Sequence, residues 1–301
     1  MTMTAIDEQA AVLALTKATH DKPWFHTTRV IAAAGSALGV LAGTFTGCDE
    51  DDQAHAAAIA ARVRREDLEW ARDLIAAMRS EGVHLVTVLD KGYPGNLYSA
   101  YDRQPFLWVR GGIERGDYRA VAVVGELDVD HATAAARNLA HAGLTVVSPL
   151  RTDLDAAVHE VAIAVGGRTL GVLAGGLAAA SAFGAHASVA KQIAERGAVV
   201  SPFWPDIDPT NRTVELARIV TCGLADCLYI VDGHPEGSSD GHAARALATG
   251  KMVLVPQRLQ QEQPWAAQAA VRAGMTVVQD IDDLVRQAVN LVDMTPRLNV
   301  S

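Results

Sequence analysis

The chain has 301 residues, half of them hydrophobic and only 5% aromatic, and its formal net charge is −9. This length allows one large domain and one smaller domain. Because free-standing nucleic-acid-binding proteins usually carry a basic surface, any contact with nucleic acid must come from a local patch. The chain does not start with a secretory signal pattern, and the apolar run at residues 30–41 is too short to span a bilayer. We therefore expect a cytoplasmic protein that makes no membrane contact.

The cysteines and the acidic runs do not indicate a metal site. Cys48, Cys222 and Cys227 lack the paired spacing of zinc ligands, so we expect free thiols in a reducing compartment and no bound metal. The acidic runs at residues 49–52 and 280–283 are interpreted as solvated loops.

Residues 1–82 are predicted to form an all-helical N-terminal domain. Apolar residues recur with helical spacing in four segments, at residues 5–17, 27–41, 53–64 and 66–79. The glycine-containing acidic segment at residues 43–52 is the predicted break. The spacing of Gly35, Gly39 and Gly43 resembles the tight turns of SAM or helix-hairpin-helix-like modules, and it also suits close helix packing.

Residues 83–293 are predicted to form an α/β domain, followed by a tail at residues 294–301. Short apolar runs predict strands at residues 84–89, 106–109, 120–124, 144–147, 169–173, 198–201, 228–231, 252–255 and 275–278. Helical patterns separate the later runs, and residues on both faces of the strands are apolar. This alternation predicts an extended Rossmann-like, doubly wound and mostly parallel sheet.

The carboxyl ends of the predicted strands are candidate binding positions, because ligands bind to such sheets at this edge. Gly125, Gly175 and Gly176 follow predicted strands and would allow a ligand to approach the backbone. Gly237-Ser238-Ser239 opens a predicted helix between two strands. Free backbone N–H groups at such a helix start suit a phosphate or another anion.

Several motifs occur in the order and spacing typical of one family. They are Lys91–Leu97 with Pro105–Gly111, Val121–Gly125, Val146–His159, Gly166–Leu177, Ile193–Gly197, Arg218–Val220 and Gly250–Pro256. Together these motifs resemble the DprA/Smf family of DNA-processing proteins over roughly residues 5–290.

The resemblance implies a helical N-terminal module, an extended Rossmann domain and no catalytic activity or cofactor. It further implies a protein that binds single-stranded DNA, self-associates as a homodimer or higher oligomer, and helps to load the recombinase RecA during natural transformation. The resemblance and the strand ends together give the candidate DNA- and phosphate-binding residues, which are Gly125, Ser148, Arg151, Gly175, Gly176, Arg212, Arg218, Gly237, Ser238 and Ser239.

The chain departs from the family pattern at the positions that would contact phosphate. Glu126 and Leu127 stand where the family has a small hydroxyl residue and an arginine, and an acid there repels phosphate. Residues 148–153 have lost both glycines of the corresponding family motif. Arg218 is what remains of an Arg-Asn-Arg motif, with Arg212 as a displaced substitute. We therefore expect weakened or altered DNA contacts.

Other polar and aromatic residues are given structural interpretations. Asp155 and His159 share a helix face, which allows acid–base chemistry but favours a structural pair. Phe203 and Trp204 follow a strand, where they could stack on a base, although covering the sheet edge is favoured. His234 and His242 have Asp232 and Asp240 nearby as possible further ligands, but this spacing does not match a metal site.

Two alternatives to DNA binding stay open at this point. One is a nucleotide-binding Rossmann enzyme or sensor of the lysine-decarboxylase-like nucleotide hydrolase class. The shortage of candidate catalytic glutamates counts against it, because Glu126 is the only glutamate at these strand ends. The other is a degenerate scaffold that keeps the fold and oligomerises but has lost DNA binding.

Overall fold

The computed structural model describes residues 3–19, 24–233, 239–272 and 275–295. It divides into two compact units: residues 1–93 with 101–109, and residues 94–100 with 110–300. The predicted loop residues Gly237 and Ser238, and also His234, lie outside the described residues.

The first unit is mainly helical, as predicted for the N-terminus. Its elements are α1 (Met3–Ala18), α2 (Phe25–Ala34), α3 (Ala37–Leu41), α4 (Glu50–Ala60), α5 (Arg65–Ser80), β1 (Val83–Thr87) and most of β2 (Phe106–Gly111). Helix α1 lies at the centre, because its segment from Ala10 to Leu15 is buried on all sides. A helix that is apolar all round belongs in a core rather than at a surface.

The single helix predicted at residues 27–41 is wrong, because the chain forms two helices there. Gly35 ends α2 with φ of 70°, a left-handed conformation that glycine adopts without strain. Ser36 then caps α3 by accepting a hydrogen bond from the Gly39 N–H. The carboxylate of Glu8 accepts the Ser36 hydroxyl at 2.5 Å and the Ala37 N–H at 2.8 Å, which fixes the start of α3.

The two acidic runs begin helices, so their interpretation as solvated loops is wrong. Asp49 caps α4 and accepts the Asp52 N–H at 2.8 Å, and Asp280 caps α14 (Ile281–Met294) through the Asp283 N–H at 2.8 Å. Carboxylates stabilise a helix start because they accept its unpaired N–H groups and face the positive end of its dipole.

The second unit is built on a parallel sheet. Its strands are β3 (Ala120–Val124), β4 (Thr145–Pro149), β5 (Thr169–Val172), β6 (Ala198–Ser201), β7 (Cys227–Ile230), β8 (Met252–Pro256) and β9 (Thr276–Val278). They are arranged in the order β6-β5-β4-β3-β7-β8-β9. Each neighbouring pair is parallel, which confirms the predicted sheet type.

Helices cover the sheet of the second unit. They are α6 (Gly95–Tyr98), α7 (Val129–His141), α8 (Asp153–Ala164), α9 (Ala187–Arg196), α10 (Asn211–Leu224), α11 (Ser239–Ala248), α12 (Gln257–Glu262), α13 (Pro264–Arg272) and α14. Val121 and Val123 of β3 lie in a core with residues of α7, α8 and α14. Because neighbouring strand residues point to opposite faces, Val124 faces the other side, where it lines a crevice with Val214 and Ala217 of α10.

The order of the strands reverses direction between β3 and β7. The chain passes from β3 outward through β4, β5 and β6, and then returns to place β7 beside β3. In open parallel sheets, ligands bind at the carboxyl ends of strands around such a switch point. Within the described residues, no helix combines the length and the apolar character that crossing a membrane requires.

Candidate functional site

A crevice lies at the carboxyl ends of β3, β4 and β5 and contains three of the predicted site residues. Gly125 follows β3, Arg151 follows β4, and Arg218 reaches it from α10. Its volume is about 510 Å³, including the part open to solvent. The other lining residues are Val124, Pro149, Thr152, Asp155, Val172, Ala174, Val214, Ala217, Thr221 and His242.

Arg151 is exposed at the crevice, and its backbone is fixed by the start of α8. The carboxylate of Asp155 accepts the Arg151 N–H at 3.1 Å and the Thr152 N–H at 2.9 Å, while the Thr152 hydroxyl accepts the Asp155 N–H at 3.2 Å. This reciprocal cap holds Asp155 in a buried position, where burial raises the pKa of its carboxyl group. The Arg151 side chain therefore extends from a rigid turn.

Arg218 lines the same crevice but has little exposed surface. Only 11% of its side chain is exposed, and its Nη1 forms an ion pair with Glu215 one turn earlier on α10. Within the part of the chain that the structure describes, its buried Nε has no hydrogen-bond partner. The guanidinium lies against Gly241 of α11, where an added Cβ would be 3.0 Å from Cζ and closer still to Nη1.

The turn after β3 has lost its free backbone donors to a carboxylate of the chain itself. Asp232, which follows β7, accepts the Glu126 N–H at 2.6 Å, the Leu127 N–H at 2.9 Å and the Asp128 N–H. Gly125 leaves room for this carboxylate, because a Cβ there would be 3.3 Å from Asp232 Oδ1. A phosphate would have to displace Asp232 to reach these donors.

The start of α11 is occupied in the same way. One carboxylate oxygen of Glu126, Oε1, accepts the Ser239 N–H at 2.8 Å and the Ser239 hydroxyl at 2.9 Å. Glu126 therefore does not act by charge repulsion alone. Its carboxylate also occupies the Ser239 N–H and hydroxyl donors at the helix start where phosphate binding was predicted. Ser239 itself is buried.

Gly175 and Gly176 pack against the segment that follows β6. A Cβ on Gly175 would be 2.9 Å from the carbonyl oxygen of Ile207, and one on Gly176 would overlap the carbonyl oxygen of Trp204. The Gly176 N–H also donates to the Ile207 carbonyl at 2.7 Å. Both glycines thus allow two backbone segments to approach each other, and neither is among the described residues that line the crevice.

Ser148 and Arg212 are likewise placed apart from the crevice lining. Ser148 is fully buried and donates its hydroxyl hydrogen to the Val123 carbonyl at 2.8 Å. Arg212 is exposed in the first turn of α10, whose N-terminus is capped by Thr210. Of the three predicted arginines, the structure brings two into one crevice.

The contacts of His159 support a structural role in packing α8 onto the sheet, but they go to Thr169 and Pro149 rather than to its predicted partner Asp155. His159 is fully buried, and burial lowers its pKa to about 4. Its Nδ1 lies 2.6 Å from the Thr169 hydroxyl oxygen, and its Nε2 lies 3.0 Å from the Pro149 carbonyl oxygen. Phe203 is also buried, as expected for a residue that covers the sheet edge.

Among the described residues, no group of three or more His, Cys, Asp or Glu side chains is placed so that it could hold a metal ion. The cysteines are free thiols, with Cys222 and Cys227 buried and Cys48 partly exposed.

Three residues that form ion pairs or hydrogen bonds at the strand ends or on α10 were not among the predicted site residues: Asp232, Glu215 and Arg258. Arg258 of α12 pairs with Asp128 and donates to the Val231 carbonyl at 3.3 Å. Asp232 follows a predicted strand, which was a usable signal, but its partners lie 104 to 106 residues away. The spacing of Glu215 and Arg218 along one helix predicts their pairing once the helix is placed.

Comparison with known proteins identifies similar sequences and folds. The family model for DNA recombination-mediator protein A matches residues 84–289. The DNA processing protein DprA of Bacillus subtilis is 26% identical to this chain over 214 residues, which cover 67% of this chain and 70% of that protein.

Two solved structures share the fold. The DprA structure from Streptococcus pneumoniae has a TM-score of 0.61 at 20% identity and covers 87% of this chain and 95% of that one. The DprA structure from Helicobacter pylori, described for its single-stranded DNA binding mode, has a TM-score of 0.57 at 18% identity. The match covers 68% of this chain and 96% of that one.

Proposed function

Because this chain belongs to the DNA recombination-mediator protein A family, we propose that it is a non-catalytic DNA-processing protein that binds single-stranded DNA. The observation that carries this proposal is the convergence of Arg151 and Arg218 on one crevice at the carboxyl ends of β3, β4 and β5. Guanidinium groups bind phosphate oxygens through charge and directed N–H donors.

The proposed contacts depend on side chains rather than on the backbone. Asp232 and Glu126 already occupy the backbone donors after β3 and at the start of α11. Arg151 and Arg218 are therefore the proposed main phosphate contacts, and Arg212, Gly237 and Ser238 are further candidates for contacts with the same DNA strand. Ser239 is no longer a candidate, because Glu126 occupies both its N–H and its hydroxyl group. A small number of cations, one of them paired with Glu215, favours weak binding with a shallow dependence on salt, because the slope is proportional to the number of phosphates neutralised.

The nucleotide enzyme and the degenerate scaffold are less favoured than DNA processing. A mononucleotide would need backbone donors at the switch point, and these hold internal carboxylates. From the family resemblance we further propose RecA as a partner, a homodimer or higher oligomer as the working form, and the cytoplasm as the location.

The proposal is tested by measuring the binding of a fluorescent thymidine oligonucleotide by anisotropy between 20 and 200 mM NaCl. The logarithm of the affinity should fall linearly with the logarithm of the salt concentration, by about 0.7 for each phosphate neutralised. Arg151→Ala should weaken binding and reduce this slope by about 0.7. Arg137→Ala on α7, an exposed position outside the crevice, is the control with the same charge change.

Absence of binding at 20 mM NaCl, or binding that does not depend on salt, would overturn the proposal. Equal effects of Arg151→Ala and Arg137→Ala would reject the crevice as the binding site. Saturable binding of a single nucleotide with no binding of the oligonucleotide would favour the enzyme or sensor alternative.

A further inference from the structure

Arg218 occupies an unusual position for a residue that is to bind a ligand. Nearly nine-tenths of its side chain is buried, although its partner Glu215 has 60% of its side chain exposed. An isolated charge is costly to bury, so the pair must be held together for Arg218 to stay in this position. Glu215 thus takes the place at Arg218 Nη1 that an anionic ligand would take.

The neighbouring helix provides the space for this arrangement. Arg218 Cζ lies so close to Gly241 that a Cβ on that residue would approach to 3.0 Å. Gly241 is in the first turn of α11, and glycine is a poor choice for helix stability compared with alanine. The absent side chain leaves room for the guanidinium beside Gly241.

We propose that Glu215 and Gly241 hold Arg218 in a buried resting position, and that a phosphate of the ligand must displace Glu215 to reach the guanidinium of Arg218. Glu215 is then an internal competitor that sets the affinity of the crevice, and Gly241 is a positioning residue. This inference rests on the proposed function for its ligand, but the resting position of Arg218 is a property of the free protein.

The competition is tested with Glu215→Gln, which keeps a hydrogen-bond acceptor for Arg218 and removes the charge. Oligonucleotide affinity at 50 mM NaCl should rise by about threefold to tenfold, because the phosphate no longer displaces a charged partner. Glu195→Gln, an exposed position on α9, makes the same change of net charge and should alter affinity by less than about twofold.

A double-mutant cycle separates competition at Arg218 from a general change in charge. In an Arg218→Ala background, Glu215→Gln should give no gain in affinity beyond that of Glu195→Gln. Gly241→Ala should also abolish the effect of Glu215→Gln, because the added Cβ displaces the guanidinium from its partner. An equal gain with and without Arg218 would overturn the proposal.

A second measurement tests the resting position of Arg218 without any DNA. The Nε–Hε group of Arg218 should show the restricted nanosecond motion of a fixed side chain by ¹⁵N relaxation, and this restriction should be lost in Gly241→Ala. Arg65 is the reference, since it pairs with Glu69 within α5 but is 91% exposed. Equal mobility of Arg218 and Arg65 in the unaltered protein would contradict the resting position. This result does not depend on DNA, so it can be told apart from a failure of the proposed function, which would show as an absence of DNA binding.

Discussion

Glu126, after β3, donates its backbone N–H to the carboxylate of Asp232, which follows the neighbouring strand β7. This hydrogen bond is 2.6 Å long, and the Glu126 carboxylate accepts the Ser239 N–H at 2.8 Å at the start of α11. Each acid therefore satisfies donors that follow the strand of the other. The backbone donors at this edge of the sheet are therefore occupied, which is why the proposed phosphate contacts are arginine side chains.

The Asp232 contact should contribute measurably to stability. Asp232→Asn removes the anionic acceptor of three backbone N–H groups, so the free energy of unfolding should fall by about 1–3 kcal/mol. Urea unfolding followed by circular dichroism measures this difference. The exposed Asp206 offers a matched control, and Asp206→Asn should change stability by less than about 0.5 kcal/mol. Equal stability of the two variants would show that Asp232 is not a structural acceptor.

Gly176 should not tolerate a side chain. A Cβ at this position overlaps the carbonyl oxygens of Trp204 and Pro205, so Gly176→Ala must separate two backbone segments and should cost about 2 kcal/mol or more in unfolding free energy. Gly116→Ala is the control, because an added Cβ there meets no atom within 4 Å. Similar urea midpoints for the two variants would refute the close packing after β5.

His159 should stay neutral in the folded protein well below the usual pKa of histidine. Burial lowers its pKa from 6.5 to about 4, so the folded state resists a proton that the unfolded state accepts. Its contribution to stability is present above pH 6.5 and is lost as the pH falls towards 4, by ~3 kcal/mol in total.

The ring resonances of His159, followed by NMR from pH 7.5 to 4.5, test this directly. We expect them not to complete a titration in this range. A midpoint near pH 6.5 in the folded protein would contradict the buried, neutral imidazole.

The cysteines should differ in reactivity. Cys227 is fully buried and its pKa is raised to about 12, mainly by burial, so its thiolate is scarce at neutral pH. Cys48, which is partly exposed, should react with a disulfide reagent in the native protein, whereas Cys227 should react only as urea unfolds the chain. Equal native rates for the two thiols, measured by peptide mass spectrometry, would disagree with this placement.

The sheet could be predicted from the sequence because its strands are apolar on both faces. The predicted bounds of the strands at residues 120–124 and 198–201 are those of β3 and β6. The helix at residues 27–41 could not be predicted correctly from apolar spacing alone. Gly35 and Ser36 interrupt it, and Glu8 fixes the second helix from 29 residues away in sequence.

The candidate site was only partly predictable for a similar reason. Arg151 and Arg218 could be nominated from strand ends and family motifs, and the fold brings both to one crevice. The pairing of Asp232 with the turn after β3 depends on β7 lying beside β3, which no local pattern encodes. Glu126 was correctly singled out as an acid in a phosphate loop, but its partner on α11 becomes visible only in three dimensions.

The most direct test of the central claim is to crosslink the protein to a single-stranded oligonucleotide that contains 4-thiothymidine and to map the modified peptides. If Arg151 and Arg218 carry the contacts, crosslinks should concentrate in residues 149–155 and 211–221, and Arg151→Ala with Arg218→Ala should greatly reduce them. Crosslinks confined to the first unit or to β9 and α14, unchanged in the double variant, would contradict the account.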